Sequence, residues 1–143
     1  MAILVFILIL LVLVLVHEFG HFITAKKSGI RVDEFGFGFP PKLFGKKFGE
    51  TEYTFNLLPI GGFVRIFGET PNEESISGPD SARSFVNKPK YIQALVLAAG
   101  VIFNWILAWV IFTVLFMMGT TVLASEPIPA GGSLENTRIE AIY

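Results

Sequence analysis

Residues 3–27, ILVFILILLVLVLVHEFGHFITAKK, form an apolar run that ends in two histidines, a glutamate and two lysines. A run of this length can cross the hydrocarbon core of a bilayer as one helix. No basic segment precedes it, and histidine and glutamate come directly after Val16, where a signal peptide would carry a small-residue cleavage site. We therefore expect residues 1–30 to hold a retained transmembrane helix.

The composition places the whole chain among membrane proteins. Of its 143 residues, 52% are hydrophobic and only 16% are charged, and the mean hydropathy is +0.63. A second apolar run predicts a second transmembrane helix over 91–124. All lysines and arginines except Arg138 lie between the two runs, so the positive-inside bias predicts that loop 26–90 is cytoplasmic and that both ends lie on the opposite side.

The segment between the spans changes from apolar runs to short aromatic stretches separated by glycine and proline. Tyr53, Phe55 and Leu57 alternate with polar residues, as in a strand. We predict about four short strands in an antiparallel sheet over 31–68, partly re-entrant at the cytoplasmic face, because irregular backbone at membrane depth needs protein or water around it.

Polar residues fill the rest of the chain. Residues 69–90 predict a mobile connector, and 125–143 predict a linker followed by the possible start of another domain. The predicted fold is therefore a mainly α membrane protein with two transmembrane helices and an intervening membrane-re-entrant antiparallel β-sheet.

The first span carries one motif with specific chemistry, His17-Glu18-Phe19-Gly20-His21, which has the pattern H-E-x-x-H. Positions i and i+4 of a helix share a face, so His17 and His21 can bind one metal ion. Imidazole pairs suit Zn²⁺, which polarises a carbonyl and activates a water. Glu18 can act as the general base and pass a proton to the leaving amine. The motif predicts a zinc protease site inside the membrane.

Two histidines that only hydrogen-bond neighbouring helices would give the same pattern, but ionisable residues within lipid are costly and usually functional. Zinc also needs a third protein ligand. No acidic residue or histidine lies between positions 80 and 126, so the second span cannot supply it. Asp33 and Glu34 are expected to begin the first strand instead. We therefore expect the third ligand beyond Tyr143.

Together these motifs resemble the site-2 protease family, most closely its bacterial branch, the regulator-of-sigma-E proteases. The H-E-x-x-H residues match the zinc ligands and catalytic glutamate of that family. Gly36-Phe37-Gly38-Phe39-Pro40 matches the opening of its membrane-re-entrant β-loop, and Leu58-Pro59-Ile60-Gly61-Gly62-Phe63-Val64 matches the segment that closes the loop.

The second span adds to the resemblance. Ala99-Gly100 followed by Asn104 matches the family pattern Ala-Gly-Pro-x-x-Asn-Phe, with Val101 in place of proline and Trp105 in place of phenylalanine. The resemblance implies a bacterial inner-membrane protease that cuts transmembrane proteins, such as an anti-sigma factor or a signal-peptide remnant. It also implies PDZ domains after the second helix, with 138–143 as a first strand. The third ligand would be an aspartate of an Asn-Pro-Asp-Gly motif that this chain lacks, so this chain alone is expected to be inactive.

A transmembrane substrate must unwind before it is cut, and its freed backbone groups need new partners. Strand addition supplies them. We therefore expect the strands at Gly36–Phe39 and Gly61–Phe67 to pair with the substrate, and the Asn104 amide to hydrogen-bond its backbone. A purely structural hairpin and a helix–helix contact of Asn104 are the alternatives. The predicted substrate-binding residues are Gly36, Phe37, Gly38, Gly61, Gly62 and Asn104.

Two other functions fit the same motif. The chain could belong to a catalytically silent, metal-binding membrane scaffold or regulator. It could also belong to another class of membrane metalloprotease, in which a glutamate on a downstream helix completes the site, although the acid-free second span argues against that class. The lack of cysteine excludes a thiol nucleophile. No nucleic-acid partner is expected for such a protein, and the net charge of −1 does not bear on that question.

Overall fold

The computed structural model describes residues 1–119. Within these residues, five helices and strands follow one another, with a single 3₁₀ turn at Ser81–Arg83 before the last of them. They are α1 (Ala2–Lys27), β1 (Val32–Phe48), β2 (Thr51–Ile66), α2 (Glu73–Ser77) and α3 (Lys90–Met117). Residues 1–107 form one compact unit, and the chain from Ala108 belongs to a second. The site described below lies within the first unit.

Both predicted spans are helical. α1 and α3 have 26 and 28 residues, and both are long and apolar enough to cross a membrane. Their apolar side chains are largely exposed within the protein, for example Leu4 at 70% and Trp105 at 71%. Apolar surface of this extent fits lipid contact, so the two helices and the sheet between them fit a membrane protein.

α1 ends in a motif that turns the chain into the sheet. Gly29 adopts a positive φ of 67°, which glycine tolerates without strain. The Gly29 N–H donates to the Lys26 carbonyl at 3.1 Å, and the Ile30 N–H donates to the Ala25 carbonyl at 3.0 Å. This is the Schellman pattern. It reverses the chain, so that β1 packs against the last turns of α1.

The sheet has two long strands, each of which bends so that four segments lie side by side. Residues 34–37 of β1 pair with 62–65 of β2 on one side and with 52–55 of β2 on the other, while 42–48 pair with 51–56. Positive φ values at Gly38 and Gly61 mark the two bends. The four predicted short strands are therefore four paired segments of two continuous strands.

A small core joins the sheet to both helices. Ile30 and Val32 are almost fully buried between the end of α1, the strands and α3. Aromatic side chains add to the contact between α1 and the sheet. Phe22 on α1 packs edge-on against Phe35 of β1, with 5.2 Å between ring centroids. The buried cluster consists of Phe22, Ala25, Ile30, Val32, Ile66 and Val96.

The connector over 69–90 contains more structure than the sequence predicts. Asn72 and Ser75 form a capping box at the start of α2. Arg31 binds Asp80 at 2.6 Å, and Arg83 binds Glu50 at 2.6 Å. These ion pairs tie the connector to the base of the sheet. The connector is therefore docked on the sheet, whereas the sequence predicted a mobile segment.

Two other expectations differ from the structure. The description as mainly α is not confirmed, because within residues 1–119 the strands take 17 and 16 residues beside the 26 and 28 of the long helices. The second span was expected to run to residue 124, whereas α3 ends at Met117. The predicted linker and PDZ start over 125–143 lie outside the described residues.

Candidate metal centre

The two histidines lie side by side on the face of α1 that packs against α3. Their ring centroids are 4.8 Å apart, with the rings nearly perpendicular. Their separation of four residues produces this arrangement, because side chains at i and i+4 stack one above the other on a helix. The structure therefore brings together the two predicted metal ligands.

α3 contacts the Nδ1 atom of each ring. His21 Nδ1 lies 2.7 Å from the Val96 carbonyl oxygen, and His17 Nδ1 lies 3.4 Å from Nδ2 of Asn104. A carbonyl that accepts from Nδ1–H leaves the other ring nitrogen, Nε2, with its lone pair free. Metal-binding histidines usually have an outer partner of this kind.

Gly100 of α3 leaves open the space at which the two rings converge. A Cβ atom on Gly100 would lie within 2.6 Å of Nε2 of both His17 and His21. Zinc binds imidazole nitrogen at about 2.0–2.1 Å, so a point close to a Zn–N distance from both nitrogens is kept free by the missing side chain. The histidine pair and this opening fit a zinc ion. Among residues 1–119, no group of three His, Cys, Asp or Glu is placed to hold a metal, so a third protein ligand is not found in that part of the chain.

Glu18 faces the sheet, on the neighbouring side of α1. Its Cγ lies 3.5 Å from the position that a Cβ on Gly62 would take, and the backbone amide of Val64 faces its carboxylate. A cavity of about 210 Å³ opens beside it. The cavity is lined by Glu18, His21, Val64, Ile66, Glu69, Phe85, Val96 and Leu97.

The predicted substrate-binding glycines are split between the middle and the edge of the sheet. Gly36 and Phe37 have strand neighbours on both sides, so their backbone groups are already paired. Gly38 and Gly61 lie at the bends. Gly62 begins the outer segment of β2 next to Glu18, and within residues 1–119 no further strand pairs with the free side of that segment. Only this edge can accept another strand beside the site.

Two residues were not predicted as part of the site. Gly100 was noted only as part of the pattern that it shares with Asn104, although its spacing of four from Asn104 places both on one helix face. Glu69 follows the sheet and lines the cavity of Glu18; no motif in the sequence indicated it. Asp33 and Glu34 lie at the start of β1, as expected, and pair with Arg31 and Arg65.

Several known proteins that resemble this chain are named as zinc metalloproteases. A protein of Clostridium perfringens named "putative zinc metalloprotease" is 50% identical over 105 residues, which cover 73% of this chain and 30% of that protein. Proteins with the same designation from Ralstonia nicotianae and Thermotoga maritima are 34% and 39% identical over 93% and 78% of this chain. The chain spans less than a third of the length of each of these three relatives.

The family comparison covers almost the whole chain. The pattern that defines peptidase family M50 matches residues 5–138, a range that includes both histidines, the sheet and α3. The resemblance to site-2 proteases seen in the motifs is thereby confirmed. This chain belongs to peptidase family M50, the family of the site-2 proteases.

Proposed function

We propose that the chain forms the N-terminal part of an intramembrane zinc endopeptidase that hydrolyses peptide bonds of transmembrane proteins. One observation carries this proposal. The Nε2 atoms of His17 and His21 converge on the space above Gly100, on a helix apolar enough to cross a membrane. Glu18 lies on the next face, beside a cavity and a sheet edge that a peptide can reach.

The residues divide the chemistry between them. When bound, zinc would polarise the scissile carbonyl and make a water more acidic. His17 and His21 would hold the ion, and Glu18 would accept a proton from the attacking water and deliver it to the nitrogen of the departing amine. The cavity beside Glu18 and His21 gives room for the scissile peptide next to both groups.

The proposal places the protein in a bacterial inner membrane, with loop 26–90 in the cytoplasm. Substrates of the proposed class include an anti-sigma factor or a signal-peptide remnant, and cleavage would serve regulated intramembrane proteolysis. The bacterial origin of the relatives supports this setting. A third zinc ligand would come from a part of the protein other than residues 1–119.

Cleavage by the full-length protein tests the catalytic role. In detergent, the wild type is expected to cut a model transmembrane substrate, while Glu18→Gln keeps its zinc and loses about 10²-fold or more of the rate, as the loss of a general base predicts. An equal rate in both proteins would contradict the role of Glu18. If zinc is bound but neither protein cuts any substrate, the silent scaffold becomes the better explanation.

Substrate pairing is proposed for the outer edge of β2, at 62–66, and no longer for the inner Gly36–Phe39 segment. The edge lies beside Glu18, and an added strand would bring its backbone to the cavity. These 143 residues contain no cysteine, so once any cysteine elsewhere in the full-length protein is replaced by serine, a crosslinking test is possible in the inactive Glu18→Gln background. Arg65→Cys is expected to form a disulfide with a substrate that has a cysteine near its cleavage site.

Lys46→Cys is the matched control, because it also replaces a basic residue of the same sheet but on the opposite outer segment. The proposal expects a high crosslink yield at position 65 and a low yield at position 46. A reversed ratio, or equal yields, would exclude pairing at the β2 edge.

A further inference from the structure

Three residues on one face of α3 contact the histidine pair or leave space beside it. Val96, Gly100 and Asn104 are spaced at i, i+4 and i+8, which places them in one row. The first contacts His21 through its carbonyl, the second leaves space at both Nε2 atoms, and the third contacts His17. The row therefore acts on both rings from the side opposite the α1 backbone.

The two rings have unlike partners. For His21, the Val96 oxygen at 2.7 Å can only accept, so Nδ1 must carry the proton and Nε2 has a free lone pair. For His17, the atom nearest Nδ1 is the amide nitrogen of Asn104, at 3.4 Å. An amide nitrogen donates. To accept this N–H, His17 Nδ1 would need its lone pair, so the ring proton would lie on Nε2. A protonated Nε2 cannot bind a metal.

The amide oxygen of Asn104 also lacks a suitable partner in this orientation. Asn104 Oδ1 is buried and has no hydrogen-bond partner within the described part of the chain. Buried polar atoms of this kind are rare in native proteins. A half-turn of the amide exchanges oxygen and nitrogen with almost no change of shape. It would bring Oδ1 to His17 Nδ1, so the orphaned acceptor would gain a donor and Nε2 of His17 would be freed.

We propose that Asn104 is a positioning residue for the metal ligand His17: its amide oxygen accepts from His17 Nδ1–H and fixes the ring with Nε2 toward the space above Gly100. The inference rests on the proposed zinc site. Both histidines then have an oxygen acceptor from α3, a backbone carbonyl for His21 and a side-chain amide for His17. A substrate contact of the Asn104 N–H groups, predicted from the sequence, is compatible with this orientation.

Zinc affinity of the full-length protein, measured by competition with a chromophoric chelator, tests the inference without reference to cleavage. Asn104→Leu keeps the approximate volume but removes the acceptor, and zinc affinity is expected to fall by about 10–100-fold, as for other outer partners of metal ligands. Asn104→Asp restores an acceptor and is expected to bind zinc much more tightly than Asn104→Leu. Rescue by aspartate separates orientation of His17 from helix packing, because a carboxylate between two helices cannot improve packing.

Two further variants serve as controls for the zinc-affinity measurement. Gln93→Leu removes an amide from the same helix, where its nitrogen donates to the carbonyls of Val86 and Lys88 and its oxygen accepts from Lys90, and zinc affinity should be unchanged. Asn104→Ala replaces Asn104→Leu if the leucine variant does not fold. Wild-type affinity in the Leu or Ala variant, or equal loss in Leu and Asp, would overturn the inference. A wild type that binds no zinc would instead overturn the proposed function, and this inference with it.

Discussion

At the scale of single residues, the space above Gly100 decides whether a metal can bind. Gly100→Ala would place a methyl group within 2.6 Å of both Nε2 atoms, and the rings cannot easily retreat because α3 also contacts their Nδ1 atoms. We expect zinc affinity to fall by about tenfold or more, the scale seen when ligand geometry is disturbed. Chelator competition measures it, and Ala98→Val, which adds bulk at an exposed position of the same helix, should bind zinc like the wild type. Equal affinity of Gly100→Ala would show that the metal lies elsewhere.

At this scale the sequence predicted the two candidate ligands but not their surroundings. The spacing of His17 and His21 is a property of one helix, so it can be deduced from the sequence alone. The partner of His21 is a backbone carbonyl, which every residue type has, so no residue identity in α3 could indicate it. Gly100 and Asn104 became interpretable only when the packing of α3 against α1 was known.

At the scale of elements, close packing of α1 on α3 depends on Gly20. A Cβ there would lie 2.6 Å from the Ala99 carbonyl oxygen and 3.0 Å from Cγ of Phe103. Gly20→Ala is therefore expected to push the helices apart and to destabilise the fold by about 1–3 kcal/mol, the usual cost of overpacking, despite the better helix propensity of alanine. Thermal unfolding in detergent measures the change, with Ala98→Ser as an exposed control. A variant as stable as the wild type would contradict this packing.

The turn between the strands is tied to both neighbouring elements through Glu50. A hydrogen bond from Lys26, at 2.9 Å, lowers the pKa of Glu50 below its usual 4.5, and one from Arg83 adds to this. Because the folded pKa is the lower one, the stabilisation is complete above pH 4.5 and is lost as the pH falls through the folded value. We expect the melting temperature of Glu50→Gln to lie below that of the wild type at pH 7. The difference between the two melting temperatures should be smaller at pH 3. Glu73→Gln, on α2, should show no such trend. A difference that does not depend on pH would contradict the ion-pair account.

The elements themselves were largely predictable, and their arrangement was not. Alternation of aromatic and polar residues indicated four strand segments, but it could not show that the segment at 34–37 lies in the middle, with partners on both sides. Register depends on the glycine bends at Gly38 and Gly61 and on contacts between residues far apart in sequence. For this reason, the sequence assigned substrate pairing to the Gly36–Phe39 and Gly61–Phe67 segments, whereas of these two only the second has a free edge within residues 1–119.

At the scale of the whole molecule, composition was enough to predict the membrane class, and the H-E-x-x-H motif together with the β-loop and α3 patterns was enough to predict the family. The chain accounts for less than a third of the length of the relatives compared above. Two imidazoles alone leave a zinc site short of its usual three protein ligands. For zinc to bind here, the full-length protein must therefore supply another ligand to the space above Gly100.

X-ray absorption spectroscopy at the zinc edge reports the atoms bound to the metal, so on the purified full-length protein it tests whether His17 and His21 hold a zinc ion. We expect about one zinc per chain, with two imidazole nitrogens at about 2.0–2.1 Å, and loss of one imidazole in His17→Leu and in His21→Leu. A protein without zinc, or a zinc whose ligands do not change in either variant, would contradict it.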